Sequence, residues 1–163
     1  MSRQAVKFRP AGIDDYPAIC RLFTSAEELF RVFPGGSWPF NLRQLHRIAE
    51  KRSDLTVATD AGKVVGFANL YGLLPRKRAF IGNVIVKASH RGQGTGRALV
   101  KYMLDRIFTY HELPLARIAV FEDNKPAFAL YRQLGFKIVD RDTRQDPDGR
   151  KVVLLQMQLV RSP

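Results

Sequence analysis

Asn83-Val84-Ile85-Val86-Lys87-Ala88-Ser89-His90-Arg91-Gly92-Gln93-Gly94-Thr95-Gly96-Arg97-Ala98-Leu99-Val100 decides how the chain is read. Val84-Ile85-Val86 is a β-branched run and reads as a strand. Leu99, Val100, Met103, Leu104 and Ile107 recur at helical spacing, with Arg97, Lys101 and Asp105 on the opposite face, so a helix continues to Phe108. Between them, three glycines in five positions let the backbone turn tightly and aim several N–H groups at one point. Those donors sit where a helix begins, at the positive end of its dipole. The turn therefore suits a phosphate or pyrophosphate.

Composition narrows what such a turn can serve. A chain of 163 residues, 45% hydrophobic and 26% charged, is one soluble globular domain by the usual prior. No apolar run approaches the roughly 18 residues that cross a bilayer, which argues against a membrane partner. Met1-Ser2-Arg3-Gln4-Ala5-Val6-Lys7 lacks the long apolar core of a secretory signal, so cytoplasm is the default expectation. A single cysteine, Cys20, excludes an intramolecular disulfide and falls in an apolar helical pattern, where it reads as core filler. Of the formal net charge of +12, residues 61–110 hold +8. A positive field concentrated around a phosphate cradle favours a compact anion. Nucleic acid would want a broad basic stripe and a reading module, and neither is present in the sequence.

Outward from the turn, apolar patterning places the other elements. Val6 to Arg9 reads as a first strand ended by Pro10. Asp14 or Asp15 can cap a helix with Ile19, Leu22, Phe23, Ala26 and Phe30 on one face and Glu27 and Glu28 in its last turns. Phe33 to Phe40, with two prolines and two glycines, breaks it, and a short helix follows from about Asn41 to Lys51. Leu55–Thr59 and Val64–Tyr71 form an antiparallel hairpin around Asp60-Ala61-Gly62-Lys63, and Ala79–Val86 is the next strand. After the central helix come a strand at Ala116–Phe121, a helix from the cap Asn124 to Leu134 closed by Gly135, and strands at Phe136–Val139 and Val152–Leu159. This order predicts an α+β single domain over residues 6–163. Its mixed, mostly antiparallel sheet has about seven strands, with about four helices.

Two familiar phosphate loops fail on spacing. A Walker loop needs Gly-Lys-Ser/Thr, and Arg97-Ala98 follows Gly96 instead. A dinucleotide fingerprint needs a third glycine where Arg97 stands. Arg91-Gly92-Gln93-Gly94-Thr95-Gly96, after a Val-Ile-Val strand and before a Leu-rich helix, resembles the acetyl-coenzyme A loop of the GNAT N-acetyltransferase superfamily. The later segment Asn124-Lys125-Pro126-Ala127-Phe128-Ala129-Leu130-Tyr131-Arg132-Gln133-Leu134-Gly135-Phe136 is similar to that family's Asn, Ala, Leu-Tyr, Gly-Phe pattern. The element order matches from about Val6 to Leu159.

The resemblance implies acetyl-CoA as co-substrate and direct acetyl transfer to a primary amine of a small molecule or peptide, with no metal. Main-chain N–H groups of Gln93, Gly94, Thr95 and Gly96, with Arg97, would hold the pyrophosphate, while Arg91 and Gly92 support the loop. Val84, Ile85 and Val86 would pair through their main chain with the pantetheine arm, and the Val84 N–H would polarise the thioester carbonyl. Asn124 would contact the arm, with Ala127 and Phe128 along its other side. Tyr131 lies seven residues after Asn124, nearly on one helical face, and its phenol, of pKa about 10, would donate a proton to the departing sulfur.

Many relatives carry a glutamate on the fourth strand as base. Here Phe80-Ile81-Gly82-Asn83-Val84 has no carboxylate. Asn83 can orient an amine or water without being an ordinary base. Glu28 and Glu27 are the nearest replacements and Tyr71 another, while an amine that arrives partly neutral needs none. Phe33, Trp38 and Phe40 are candidates for an aromatic acceptor wall, Trp38 the better one, while Phe40 reads somewhat more as a core anchor. Homodimers are common in such proteins, and the closing strands offer an edge for one. The missing carboxylate keeps a second reading open, a non-catalytic acyl-CoA-binding or sensor module on the same fold.

Overall fold

Runs rich in β-branched and other apolar residues build seven strands among the described residues: β1 (Lys7–Pro10), β2 (Ser53–Asp60), β3 (Lys63–Leu74), β4 (Arg78–Val86), β5 (Leu115–Phe121), β6 (Lys137–Gln145) and β7 (Lys151–Val160). The computed structural model describes residues 5–163; Met1 to Gln4, the start of the stretch that lacks a signal core, lie outside the described residues. The strands form one sheet in the order β1-β2-β3-β4-β5-β7-β6. All neighbours are antiparallel except β4 and β5, which a crossover through the central helix joins in parallel. This is the mixed, mostly antiparallel sheet that the element order predicts.

Among the described residues the α-helices are five: α1 (Tyr16–Cys20), α2 (Ala26–Val32), α3 (Leu42–Lys51), α4 (Thr95–Asp105) and α5 (Lys125–Gln133). The helix expected to run from Asp14 or Asp15 through Phe30 is broken in two. Ser25 caps α2 by accepting from the Glu28 N–H at 3.0 Å, and the Glu28 carboxylate accepts from the Thr24 N–H at 3.3 Å. This local start signal outcompetes the continuing apolar spacing. Glu27 and Glu28 therefore open a helix instead of ending one, where their charge favours the dipole. The central helix also changes earlier than expected, widening after Asp105 into a π turn at Arg106–Tyr110.

Two apolar clusters clamp the sheet. Ala68, Leu70, Ala79, Ile81, Ala116 and Ile118 meet α4 and α5 on one face, with Leu99, Val100 and Met103 of α4 fully buried. Each of those three side chains contributes about 2 kcal/mol by leaving water. On the other face, Val57, Phe67 and Ile85 meet Ile19, Leu29, Leu45 and Ile48 of α1–α3. Phe40 belongs to this second cluster, against Phe23 at 4.8 Å, and half-buried Cys20 packs at its margin.

Two irregularities of β4 position everything that follows. Pairing with β3 runs Phe67–Ile85 and then Asn69–Gly82, so β4 holds one extra residue there. Asn83 takes the slack at φ 51°, a left-handed conformation that asparagine tolerates better than most residues. Ile81 and Val84 consequently face the same side, toward α4 and α5, while Ile85 faces the other. Pairing with β5 runs from Arg78–Leu115 to Ile81–Ile118. Beyond that pair the two strands part.

Candidate active site at the parting of β4 and β5

Where β4 and β5 separate, a cavity of about 640 Å³ opens through the sheet. The glycine-rich turn and α5 line it, and so do α2, the Arg52 side chain and residues of β6 and β7. Ile81, Ile118 and Val120 line it where the strands part. The cavity therefore joins two chemically different compartments.

The first compartment is built for an anion. Gly92, Gly94, Gly96 and Arg97 form its wall. Gly94 is the N-cap of α4 at φ 86°, and Gly92 sits at φ 71°; both need a residue without a Cβ penalty. A Cβ added at either would meet no protein atom, so the space beside these two glycines is open to a ligand. The first-turn N–H groups of an 11-residue helix have no intrahelical partner. Arg97 has no carboxylate partner among the described residues, which leaves its charge for a ligand. The loop is also fastened in advance. Arg91 donates from Nε to the Val86 carbonyl at 2.9 Å and pairs through Nη2 with Glu28 at 2.9 Å. Gln93 donates back to the Ser89 carbonyl at 3.1 Å, and His90 meets Asp60 at 2.8 Å. Thr95 is buried beneath the turn.

Along the middle run Val84 and Val86 on one side and Asn124, Ala127, Leu130 and Tyr131 on the other. Ile85 points away into the second core cluster, so only its main chain belongs to this wall. Asn124 occupies the N-cap position of α5, as its sequence suggests, yet its side chain makes no capping hydrogen bond and lines the cavity instead. Phe128, expected to line the arm, packs against the first core cluster and does not line the cavity; Leu130 does. Tyr131 is buried beside Phe136, ring centroids 6.0 Å apart, with its edge on the cavity. Burial pushes its hydroxyl pKa well above the usual phenol value, so it stays protonated.

The far compartment differs from expectation. Asn83 lines it, but Asn83 Oδ1 accepts from Arg52 Nη1 and Asn69 Nδ2, both at 2.8 Å, and its Nδ2 donates to the Val32 carbonyl at 3.1 Å. Arg52 Nη1 also reaches Asn69 Oδ1 at 3.1 Å, closing a triangle between half-buried Arg52 and the buried Asn69 and Asn83. Glu28, expected as a base on this wall, does not line the cavity; its carboxylate is taken by Arg91 and by the Thr24 N–H. Among the described residues, no Asp, Glu or His lines the cavity at all. Tyr71 does, its pKa raised by burial against the opposing field of Arg52. Phe33 is on the wall, whereas Trp38 lies outside it and is 45% exposed.

A model of the acetyltransferase (GNAT) family matches residues 19–136, a span that holds the glycine-rich turn, the parted strands and Tyr131 together. The chain belongs to the GNAT acetyltransferase family. A GCN5-related N-acetyltransferase from Kribbella flavida is 29% identical, with 96% of this chain and 98% of that one covered and a TM-score of 0.75. The ribosomal-protein-alanine N-acetyltransferase of Brucella melitensis shares the fold at TM-score 0.79 and 22% identity, over 95% of this chain and 99% of that one. Spermidine N-acetyltransferase from Vibrio cholerae, solved with CoA and spermine, shares it at TM-score 0.80 and 21% identity, over 95% of each chain. This GNAT chain is thus an acetyl-CoA-dependent acyltransferase. The open glycine wall and the unpaired Arg97 fit a pyrophosphate-bearing donor.

Sequence reading of this GNAT chain missed Arg52. It stands at the C-terminal end of α3, where its N–H bonds to the Ile48 carbonyl, and nothing local aims it inward. A signal did exist in Gly82, a lone glycine inside a strand, which marks a close approach. A Cβ there would collide with Arg52 and lie 2.7 Å from the Tyr71 ring.

Proposed function

We propose that residues 6–163 form one N-acetyltransferase domain that moves the acetyl group of acetyl-CoA directly to a primary amine of a small molecule or peptide in the cytoplasm. The observation that carries this reading is the single cavity connecting the anion-binding turn, Tyr131 and a separate polar compartment through the gap between β4 and β5.

In this reading Arg97 and the first-turn N–H groups of α4 hold the pyrophosphate, with Gln93, Thr95 and the three glycines shaping that cradle. The main chain of Val84, Ile85 and Val86, beyond the last β5 partner of β4, pairs with the amides of the pantetheine arm. Asn124 and Ala127 bound the arm from α5, with Phe128 behind them. The Val84 N–H stabilises negative charge on the carbonyl oxygen as the amine nitrogen attacks. Tyr131 donates its hydroxyl proton to the sulfur as the carbon–sulfur bond breaks, and a proton lost by the amine returns to it through water. Holding both substrates in one cleft supplies much of the rate. Asn83 and Glu28 act by position: Asn83 fixes Arg52 in the far compartment, and Glu28 holds Arg91 and with it the loop. No wall carboxylate is assigned as base; the amine enters in its neutral form or gives its proton to water.

Calorimetric titration with acetyl-CoA should give saturable binding at micromolar to millimolar ligand, and an amine panel should then release free CoA thiol. Absence of binding would sink the reading. Binding without thiol release from any amine would make the chain a non-catalytic acyl-CoA module.

A further inference from the structure

Five arginines line the cavity: Arg31, Arg52, Arg91, Arg97 and Arg144. Arg31 pairs with Glu27 at 3.1 Å and Asp123 at 3.5 Å, Arg91 with Glu28 at 2.9 Å, and Arg144 with Asp142 at 3.8 Å. Only Arg52 and Arg97 have no carboxylate partner among the described residues. Arg97 stands on the glycine turn, and Arg52 stands beside Asn69, Asn83 and Tyr71. Arg97 is accounted for by the donor's pyrophosphate. Arg52 is not.

The surroundings of Arg52 hold a cation without neutralising it. Its guanidinium lies 4.3 Å from the Tyr71 ring centroid and 5.8 Å from that of Phe33, so aromatic faces support it. Among the described residues, its only side-chain hydrogen bonds use Nη1, to the amide oxygens of Asn69 and Asn83, leaving Nε and Nη2 for a ligand. Amide oxygens orient a guanidinium but carry no charge to balance it. Gly82 leaves the room in which it lies. Partial burial disfavours its charged form, which an oxyanion beside it would favour. A planar fork with free donors matches a carboxylate in two-point fashion. No acidic side chain on the wall would instead welcome a polyamine.

We propose that the acceptor is an amino acid: a small molecule that presents its amine to the donor while its own carboxylate pairs with Arg52. Phe33, Pro34 and Tyr71 then offer an apolar wall to its remaining atoms. This rests on the acetyltransferase reading and narrows it.

The test is kinetic. With saturating acetyl-CoA, thiol release is measured for the twenty L-amino acids, for their carboxamides and for spermidine. At least one acid should be acetylated with kcat/KM about 100-fold above its amide, the scale of a lost charged hydrogen-bond pair. Arg52→Gln should remove that preference by raising KM for the acid, with acetyl-CoA affinity by calorimetry unchanged; Arg52→Lys should restore part of it. Equal use of acids and amides, a preference for spermidine, or turnover of no acid would overturn the acceptor class while acetyl-CoA binding stands. Loss of acetyl-CoA binding in the unmodified protein would instead overturn the acetyltransferase reading itself.

Discussion

Tyr131, buried, and Arg52, half-buried, are polar side chains facing one cavity, and their environments assign them opposite tasks. Tyr131 has apolar neighbours and its pKa moves up, which keeps a proton available for a leaving group. Arg52 has amide and aromatic neighbours that hold its orientation and leave its charge unbalanced. Replacing Tyr131 by Phe keeps the ring packing against Phe136 and removes only the hydroxyl. We expect kcat to fall by about 10²- to 10⁴-fold, the usual range for a lost general acid. Acetyl-CoA affinity by calorimetry should hardly change, because the pyrophosphate cradle lies elsewhere. Undiminished turnover of the Phe variant would remove Tyr131 from the chemistry.

At the scale of elements, the strand–turn–helix unit from Val84 to Asp105 was legible because its signals are local. A β-branched run, positive-φ glycines and a 3.6-residue apolar period lie within a few turns of one another. Gly94 tests this unit. Its φ of 86° disfavours any side chain, and a Cβ would enter space that no protein atom occupies. Gly94→Val should cost roughly 1–2 kcal/mol of left-handed strain and weaken acetyl-CoA binding measurably in calorimetry. A variant that is destabilised but binds normally would locate the pyrophosphate elsewhere. The break between α1 and α2 was harder to read, because Thr24-Ser25 competes with an apolar period that continues on either side. The bulge at Asn83 was harder still. Its extra residue is visible only against the register of β3, and that register is set by a strand some fifteen residues earlier.

For the whole molecule, topology was readable from the order of elements, whereas the far compartment was not. Arg52, Asn69, Asn83 and Val32 come from four segments and meet only after β4 has bulged and α2 has been set by its own cap. The supply of a base is also decided at this scale. A sequence without the expected strand glutamate sends attention to Glu27 and Glu28, but folding commits Glu28 to Arg91 and Glu27 to Arg31. No Asp, Glu or His remains on the cavity wall among the described residues. The acceptor's own amine is then the group whose ionisation sets the pH profile. Below the amine pKa, the reactive neutral fraction rises about tenfold per pH unit, so kcat/KM should climb with unit slope and level off near that pKa. Tyr131 opposes this only on deprotonation, and burial moves that event above the ordinary phenol range, so no alkaline fall is expected below about pH 10. Two acceptors with different amine pKa values should give profiles displaced by the difference between them. A common inflection in the neutral range, independent of the acceptor, would instead reveal a protein base and return the search to the side chains bordering Arg31 and Arg91.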